Sequence, residues 1–141
     1  MQYERKLVHR AGVIPYYVEN GEVFMMFMKP SNTEFGGDQF QLAKGRVEED
    51  EDTKIAALRE AREELGLFLG NVDLVDDLGV FMGRTTVFVA KIRDKDMFGS
   101  PDFETEEVAW MTEDQFTKTG RPLHLHVVQA AARRIRLLED L

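Results

Sequence analysis

The sequence of 141 residues contains no cysteine. Disulfide bonds, thiolate nucleophiles and cysteine-ligated zinc are therefore excluded. No hydrophobic run approaches the roughly 20 residues that a helix needs to cross a bilayer. The first ten residues are too polar for a secretory signal. We therefore expect a cytoplasmic protein without a membrane partner.

Positive charge is scarce as well. The 18 lysines and arginines are outnumbered by 26 aspartates and glutamates, which gives a net charge of −8. This balance argues against non-specific binding to nucleic acid. It would also repel a phosphorylated substrate, unless carboxylates hold divalent cations that bind the phosphate. The length, with 43% hydrophobic and 31% charged residues, fits one globular domain over residues 1–141.

The order of predicted elements favours an α+β fold. Residues 11–18 and 22–28 have strand composition, and Asn20-Gly21 between them is a strong hairpin signal. Strong helix formers over residues 52–65, with Gly66 as a stop, predict a helix. Further strands are predicted at 39–42, 72–82, 85–92 and 107–111, with a short helix starting at Thr112 and a final helix over 122–140.

The chemistry centres on three glutamates of the predicted helix. Glu60, Glu63 and Glu64 are spaced i, i+3 and i+4, so their side chains share one helical face about 5–6 Å apart. Like charges at this spacing repel each other, and bound Mg²⁺ or Mn²⁺ would offset the repulsion. A solvated surface helix with internal salt bridges is the alternative, because glutamate and arginine are good helix formers.

The longer segment, residues 45–67, resembles the Nudix box. That box has a glycine, five residues, a glutamate, seven residues, Arg-Glu, an aliphatic residue, any residue, Glu-Glu, any residue, a glycine and an aliphatic residue. The matching positions here are Gly45, Glu51, Arg59, Glu60, Ala61, Glu63, Glu64, Gly66 and Leu67. Ala61 is smaller than the usual aliphatic residue. The resemblance implies a Nudix fold, a mixed β-sheet sandwiched between α-helices, and hydrolysis of a nucleoside diphosphate linked to another group.

The resemblance also implies roles for the box residues. Glu60 and Glu64 would bind Mg²⁺ or Mn²⁺, and Glu63 would either bind metal or orient and deprotonate the attacking water. The general base is left open among these glutamates, with Glu63 and Glu60 as catalytic candidates. Arg59 would orient a glutamate through its planar guanidinium. Glu51 would support the junction before the helix or bind metal through water.

Residues around the box extend the expected site. The backbone carbonyl of Lys44 is a further metal ligand candidate, and the side chains of Lys44 and Arg46 are candidates for substrate phosphate, with ordinary surface charge as the alternative. Family members often add an acidic residue from a later strand or loop. Glu104 is the candidate here, with Glu106 and Glu107 as rivals and a solvated loop as the alternative for each.

The substrate class depends on less specific signals. Residues 44–48, Lys-Gly-Arg-Val-Glu, are similar to the diadenosine polyphosphate hydrolase branch, although Ala43 stands where that branch often has proline. ADP-ribose, another nucleotide sugar or cofactor such as NADH, a damaged nucleoside triphosphate and a capped RNA end remain alternatives. Substrate choice is expected in the loops 30–38 and 93–102. A nucleotide-binding Nudix module without catalysis is the rival from another class, and the intact box glutamates argue against it.

Two further hypotheses concern apolar residues. Phe35, Phe40 and Tyr17 could stack on a nucleobase, although aromatic residues of strands more often pack in the core. The methionine-rich strand 23–28 could form a homodimer face, because methionine adapts to partner surfaces.

Overall fold

The computed structural model describes residues 8–32, 34 and 38–141. Two short 3-10 turns, Leu69–Asn71 and Pro122–His124, precede the fourth strand and the last helix. The strands are β1 (Arg10–Glu19), β2 (Glu22–Pro30), β3 (Ala43–Arg46), β4 (Val72–Phe81), β5 (Thr85–Ile92) and β6 (Thr105–Met111), and the helices are α1 (Thr53–Leu65), α2 (Glu113–Thr119) and α3 (Leu125–Leu138).

The six strands form one mixed sheet in the order β4-β5-β1-β2-β6, with β3 paired to β1. The central pair β1–β5 is parallel, and the other pairs are antiparallel. The first half of β1 pairs with β3, and its second half pairs with β2. Strands β2 and β3 therefore share one edge of β1, and residues of both strands line a cleft.

Alternate residues of the sheet face opposite layers, as expected for pleated strands. Ala11 and Val13 of β1 pack in a core cluster with the buried face of α1. Ile14 and Tyr16 of the same strand belong to a second cluster, which includes Phe116 of α2 and the buried face of α3. The sheet thus lies between α1 on one face and α2 with α3 on the other, which confirms the predicted α+β sandwich.

The structure confirms the turn and helix-end signals of the sequence. Asn20 and Gly21 both have positive φ, 53° and 76°, as a tight hairpin between β1 and β2 requires. The Asp52 side chain caps α1 by accepting from the backbone N–H groups of Lys54 and Ile55. Gly66 ends α1 with φ 77°.

Two predicted elements are corrected. The strand predicted at 39–42 lies instead at Ala43–Arg46, while Phe40 and Gln41 make only isolated bridges to Gly120 and Met28. Pairing of β3 with β1, with Lys44 opposite Gly12, fixes this position. The final helix begins as the 3-10 turn Pro122–His124 before α3.

The methionine-rich segment 23–28 is not a surface for dimerisation. Val23 and all three methionines are buried in the core of this chain, and Phe24 is half-buried. The proposed dimer face is therefore wrong in its location. None of the helices in the part of the chain that the structure describes is long and apolar enough to cross a membrane.

Candidate active site

Arg59 connects α1, the helix of the Nudix box, to the turn that precedes it. Its Nε and Nη2 donate to the two carboxylate oxygens of Glu51 at 2.9 and 3.0 Å, and Nη1 donates to Glu60 Oε1 at 2.9 Å. Nη2 also donates to the Arg46 carbonyl at 2.9 Å. The hydrogen bond from Arg59, with another from the Glu48 N–H, lowers the pKa of Glu51 to about 2. The guanidinium thus ties the turn after β3 to one face of α1.

Glu60 lies against Gly45 at the end of β3. A Cβ atom at position 45 would overlap the carboxyl group of Glu60, so only glycine leaves the space that this side chain occupies. Burial raises the pKa of Glu60, and the neighbouring Arg59 opposes that shift. Gly45 is therefore needed for the position of Glu60, in addition to any role of its backbone.

Replacing Gly45 with alanine tests this contact. We expect Gly45→Ala to displace the Glu60 carboxyl group and to weaken Mn²⁺ binding at least about tenfold, because supporting contacts of metal ligands contribute about 10–100-fold. Gly70→Ala is the matched control, since a Cβ there meets no atom within 4 Å. Titration calorimetry with Mn²⁺ measures both variants. Wild-type affinity in Gly45→Ala would show that Glu60 is not a ligand in this position.

Glu64 is the most perturbed acidic group of the site. Burial and the adjacent Glu60, to which it is hydrogen-bonded, raise the pKa of Glu64 to about 9, although Lys44 acts in the opposite direction. Its Oε2 atom is buried and has no hydrogen-bond partner among the described residues. A carboxyl oxygen in this state costs stability unless a cation or a proton compensates it.

Glu63 stands on the same helix face but at the surface. Its side chain is 48% exposed, and its Oε1 atom lies 3.7 Å from Arg59 Nη1. This exposure leaves Glu63 accessible to water and substrate, unlike Glu64. The structure thus brings Glu51, Glu60 and Glu63 together around Arg59. Glu64 is hydrogen-bonded to Glu60, and its Oε2 atom is buried.

The donors of this site suit a hard divalent cation. Carboxylate and carbonyl oxygens are the ligands that Mg²⁺ and Mn²⁺ prefer, and the orphaned Glu64 Oε2 supplies an unused one. In the described part of the chain, no three acidic or histidine side chains already converge as a closed metal cage. The residues present therefore fit a metal bound through few protein ligands and water, as is usual for Mg²⁺.

The loop before β6 covers the end of the box helix. The N–H of Gly99 donates to Gly66 O at 2.8 Å, and the N–H of Asp102 donates to Glu63 O at 2.7 Å. Thr105 Oγ1 donates to Glu64 O at 2.8 Å. These bonds satisfy carbonyls that a helix end leaves unpaired, and they fix the loop beside the glutamates.

This loop brings an acidic residue to the site that the sequence did not predict. Asp102 lies close enough to Glu64 to raise its pKa. Glu104, the predicted candidate, lines the cleft beside Glu64, whereas Glu106 and Glu107 are exposed on β6. Asp102 is 38 positions from Glu64 along the chain, so only the loop contacts with the end of α1 could have indicated it.

A cleft of about 500 Å³ opens between β2 and β3, with Glu64 in its wall. It is roughly the size of pockets that bind small molecules. Its walls combine apolar strand residues with charged groups from three elements. The lining residues are Arg10, Met28, Pro30, Ser31, Asn32, Gln41, Leu42, Lys44, Glu64, Phe103 and Glu104.

Lys44 and Arg46 lie in different surroundings. Lys44 lines the cleft, and burial together with Arg10 and Arg121 lowers its pKa. Arg46 is exposed in a separate depression beside His9 and Glu48. Lys44 is thus the phosphate candidate that faces the cleft.

Neither of the two described aromatic candidates for base stacking lines the cleft. Phe40 is buried in the core, and Tyr17 stacks on Phe24 and meets Trp110 edge-on. Phe35 lies outside the described residues. Phe103 is instead the aromatic residue that lines the cleft, with 87% of its surface exposed.

Solved structures with the same fold come from several organisms. An Ap4A hydrolase from C. elegans, described as a binary complex, superposes with a TM-score of 0.73 at 17% identity, over 96% of this chain and 100% of the other. The NUDIX domain of Shewanella oneidensis NrtR, complexed with ADP ribose, gives 0.72 at 14% identity, over 94% and 90%. RenU, a Nudix hydrolase from M. Smegmatis, gives 0.68 at 21% identity, over 94% and 85%.

The family assignment rests on a match along nearly the whole chain. No curated protein matches the sequence. The model of the NUDIX domain matches residues 6–134, a range that includes the box, the cleft and all six strands. The box glutamates that surround Arg59 lie within this range. The chain therefore belongs to the NUDIX family.

Proposed function

We propose that the protein hydrolyses the phosphoanhydride bond of a nucleoside diphosphate linked to a second group, and that it requires Mg²⁺ or Mn²⁺. The observation that carries this proposal is the buried, unpartnered Oε2 of Glu64 beside Glu60, in a cleft that also presents Lys44. The buried carboxyl oxygen of Glu64 and the cationic side chain of Lys44 in one cleft suit a metal-bound diphosphate better than a neutral ligand.

The chain's residues have separable tasks in this reaction. Glu60, Glu64 and the Lys44 carbonyl would hold the metal, with Glu51 supporting them through Arg59, and Glu104 or Asp102 adding an acidic group from the loop. Bound metal would neutralise the charge that builds on the diphosphate. Arg59 keeps Glu60 in one orientation through the 2.9 Å bond to its Oε1.

The bond change itself needs a proton acceptor. An oxygen–phosphorus bond forms from water as the bridging oxygen–phosphorus bond breaks, and the water proton passes to a carboxylate. Glu63 is our candidate for this acceptor because its carboxylate is exposed, and Glu60 is the alternative. The side chain of Lys44 lies in the cleft where it can contact a substrate phosphate, while Arg46 is a more distant candidate.

Among substrates, dinucleoside polyphosphates are our first choice, supported by the Lys-Gly-Arg-Val-Glu stretch at residues 44–48. The similar structures include one Ap4A hydrolase and one domain with ADP ribose, so ADP-ribose or another nucleotide sugar or cofactor is the second. A nucleotide-binding module without catalysis is the rival of another class. Cytoplasmic location, a homodimer and a capped RNA end as partner stay predictions.

A substrate screen tests the proposal. Dinucleoside polyphosphates, ADP-ribose, NADH, sugar nucleotides, a capped dinucleotide and nucleoside triphosphates are each incubated with Mg²⁺, Mn²⁺ or EDTA. We expect cleavage of one class that stops in EDTA. Cleavage that continues in EDTA would contradict the metal requirement. Tight nucleotide binding without any cleavage would favour the non-catalytic module.

A further inference from the structure

The cleft has a cationic wall, which is unusual in a chain of net charge −8. Arg10 and Lys44 both line the cleft beside Glu64. Arg121 lies near enough to act electrostatically on Lys44, as Arg10 does. The three residues belong to β1, β3 and the segment after α2. They are distant in the sequence and lie close together only in the folded protein.

Strand register explains the pairing of Arg10 with Lys44. In the antiparallel pair β1–β3, Lys44 lies opposite Gly12, and Arg10 lies two residues before Gly12. Residues two apart on a strand share a face, so the side chains of Arg10 and Lys44 are diagonal neighbours there. A Cβ at Gly12 would collide with Leu42 and the Ala43 carbonyl, so β1 and β3 need glycine at this position to pair as closely as they do.

Arg121 reaches the same region because its segment runs beside residues 40–42. The N–H of Arg121 donates to Phe40 O at 2.8 Å, and the N–H of Leu42 donates to His124 Nδ1 at 3.2 Å. Burial and the nearby Lys44 lower the pKa of His124 to about 3, so this imidazole stays neutral at physiological pH. Arg121 thus acts on Lys44 without lining the cleft, whereas Arg10 lies in its wall.

Glu64 and Glu104 line the same cleft, but they do not neutralise these cations by direct ion pairs. Within residues 8–32, 34 and 38–141, none of the three forms an ion pair, although Arg59 and Arg134 each do. Glu64 and Glu60 favour the charged form of Lys44, and the two arginines oppose it. Unpaired like charges repel, and a multivalent anion would offset that repulsion.

We infer that Arg10 and Lys44, reinforced by Arg121, form an oligophosphate subsite that favours nucleotides with three or more consecutive phosphates over diphosphates. The inference rests on the proposed function. The carboxylates of the box would hold the metal at the broken bond, and the cationic wall would bind the phosphates beyond it. ADP-ribose and NADH have only two phosphates and would leave this wall unmatched.

Binding measured without turnover tests the subsite. Inorganic tripolyphosphate and pyrophosphate are titrated calorimetrically into the full chain in EDTA. We expect tripolyphosphate to bind at least about tenfold more tightly, because one further charge-assisted contact is worth roughly that factor. Arg10→Met should remove this preference, Arg121→Met should reduce it about threefold, and Arg10→Lys should retain part of it. Raising the salt concentration should weaken the preference.

The control is Arg133→Met, an exposed arginine of α3 that lies outside the cleft. Melting temperatures establish that each variant is folded. Equal binding of the two anions by the wild type, or an equal loss in Arg133→Met and Arg10→Met, would overturn the subsite.

Turnover separates this inference from the proposed function. Rates are compared on dinucleoside polyphosphates with two, three and four phosphates in Mg²⁺. Metal-dependent cleavage without any chain-length preference would refute the subsite and leave the hydrolase standing. A chain-length preference in binding, with no cleavage of any substrate in the screen, would refute the hydrolase and leave the subsite. A preference in kcat/KM that Arg10→Met abolishes supports both.

Discussion

Glu64→Gln is expected to lower turnover about 1,000-fold while the protein stays folded. Glutamine has the shape of glutamate but cannot supply the charge of a metal ligand. Metal stabilisation of a transition state is worth several kcal/mol, and each 1.36 kcal/mol corresponds to a factor of ten in rate. The rate is measured with Mg²⁺ on the substrate identified by the screen.

The same substitution should raise stability when no metal is present. The folded pKa of Glu64 is about 9, against 4.5 for the free group. The unfolded chain therefore ionises first, and stability is lost as the pH rises from 4.5 towards 9. We expect Glu64→Gln in EDTA to be about 3 kcal/mol more stable than the wild type at pH 7. The difference should disappear as the pH falls to 4.5.

Glu49→Gln is the matched control, because Glu49 is exposed in the turn before α1. It should change neither the rate nor the stability by a comparable amount. Wild-type turnover in Glu64→Gln would remove Glu64 from the metal site. If Glu64→Gln and Glu49→Gln were equally stable in EDTA, the ionised Glu64 carboxyl group would not destabilise the folded protein.

Arg59→Ala should reduce kcat about 10–100-fold, because Arg59 positions ligands without replacing them. The guanidinium group of Arg59 donates hydrogen bonds to both carboxylate oxygens of Glu51 and to one of Glu60. Without it, these carboxylates would repel each other and Glu60 would lose its orientation. The pKa of Glu51 should return from about 2 towards 4.5, which an NMR titration of the carboxyl carbon measures.

Arg59→Lys separates charge from geometry. Lysine keeps the positive charge but lacks the planar fork, so it should recover only part of the lost rate. Arg62→Ala, at an exposed position of the same helix, should leave the rate and the Glu51 titration unchanged. If Arg59→Ala shifts the Glu51 pKa but retains the full rate, then Arg59 stabilises the turn and does not position a catalytic group.

Features encoded by neighbouring residues could be predicted from the sequence. The Asn20-Gly21 turn, the stop at Gly66 and the capping box of Thr112 with Gln115 each depend on a few adjacent positions. The box is also local, since a helix places Glu60, Glu63 and Glu64 on one face by spacing alone. The fold class followed from the order of the predicted strands and helices and from the resemblance of residues 45–67 to the Nudix box.

Features encoded by distant residues could not be predicted. The position of β3 depends on its register with β1, which no local pattern specifies. Asp102 reaches Glu64 only because the loop caps the end of α1. Arg10 and Arg121 are far from Lys44 in the chain, and they meet it through strand pairing and the segment beside Phe40. The cleft wall is thus a product of tertiary structure.

The most direct test of the account is a reaction in ¹⁸O-labelled water with the preferred substrate, run with Mg²⁺ and with EDTA. We expect one ¹⁸O atom in a single phosphorylated product, formed with Mg²⁺ in the wild type and nearly absent both in EDTA and in Glu64→Gln. Label incorporated at the same rate in EDTA, or in Glu64→Gln with Mg²⁺, would contradict hydrolysis by metal-bound box glutamates.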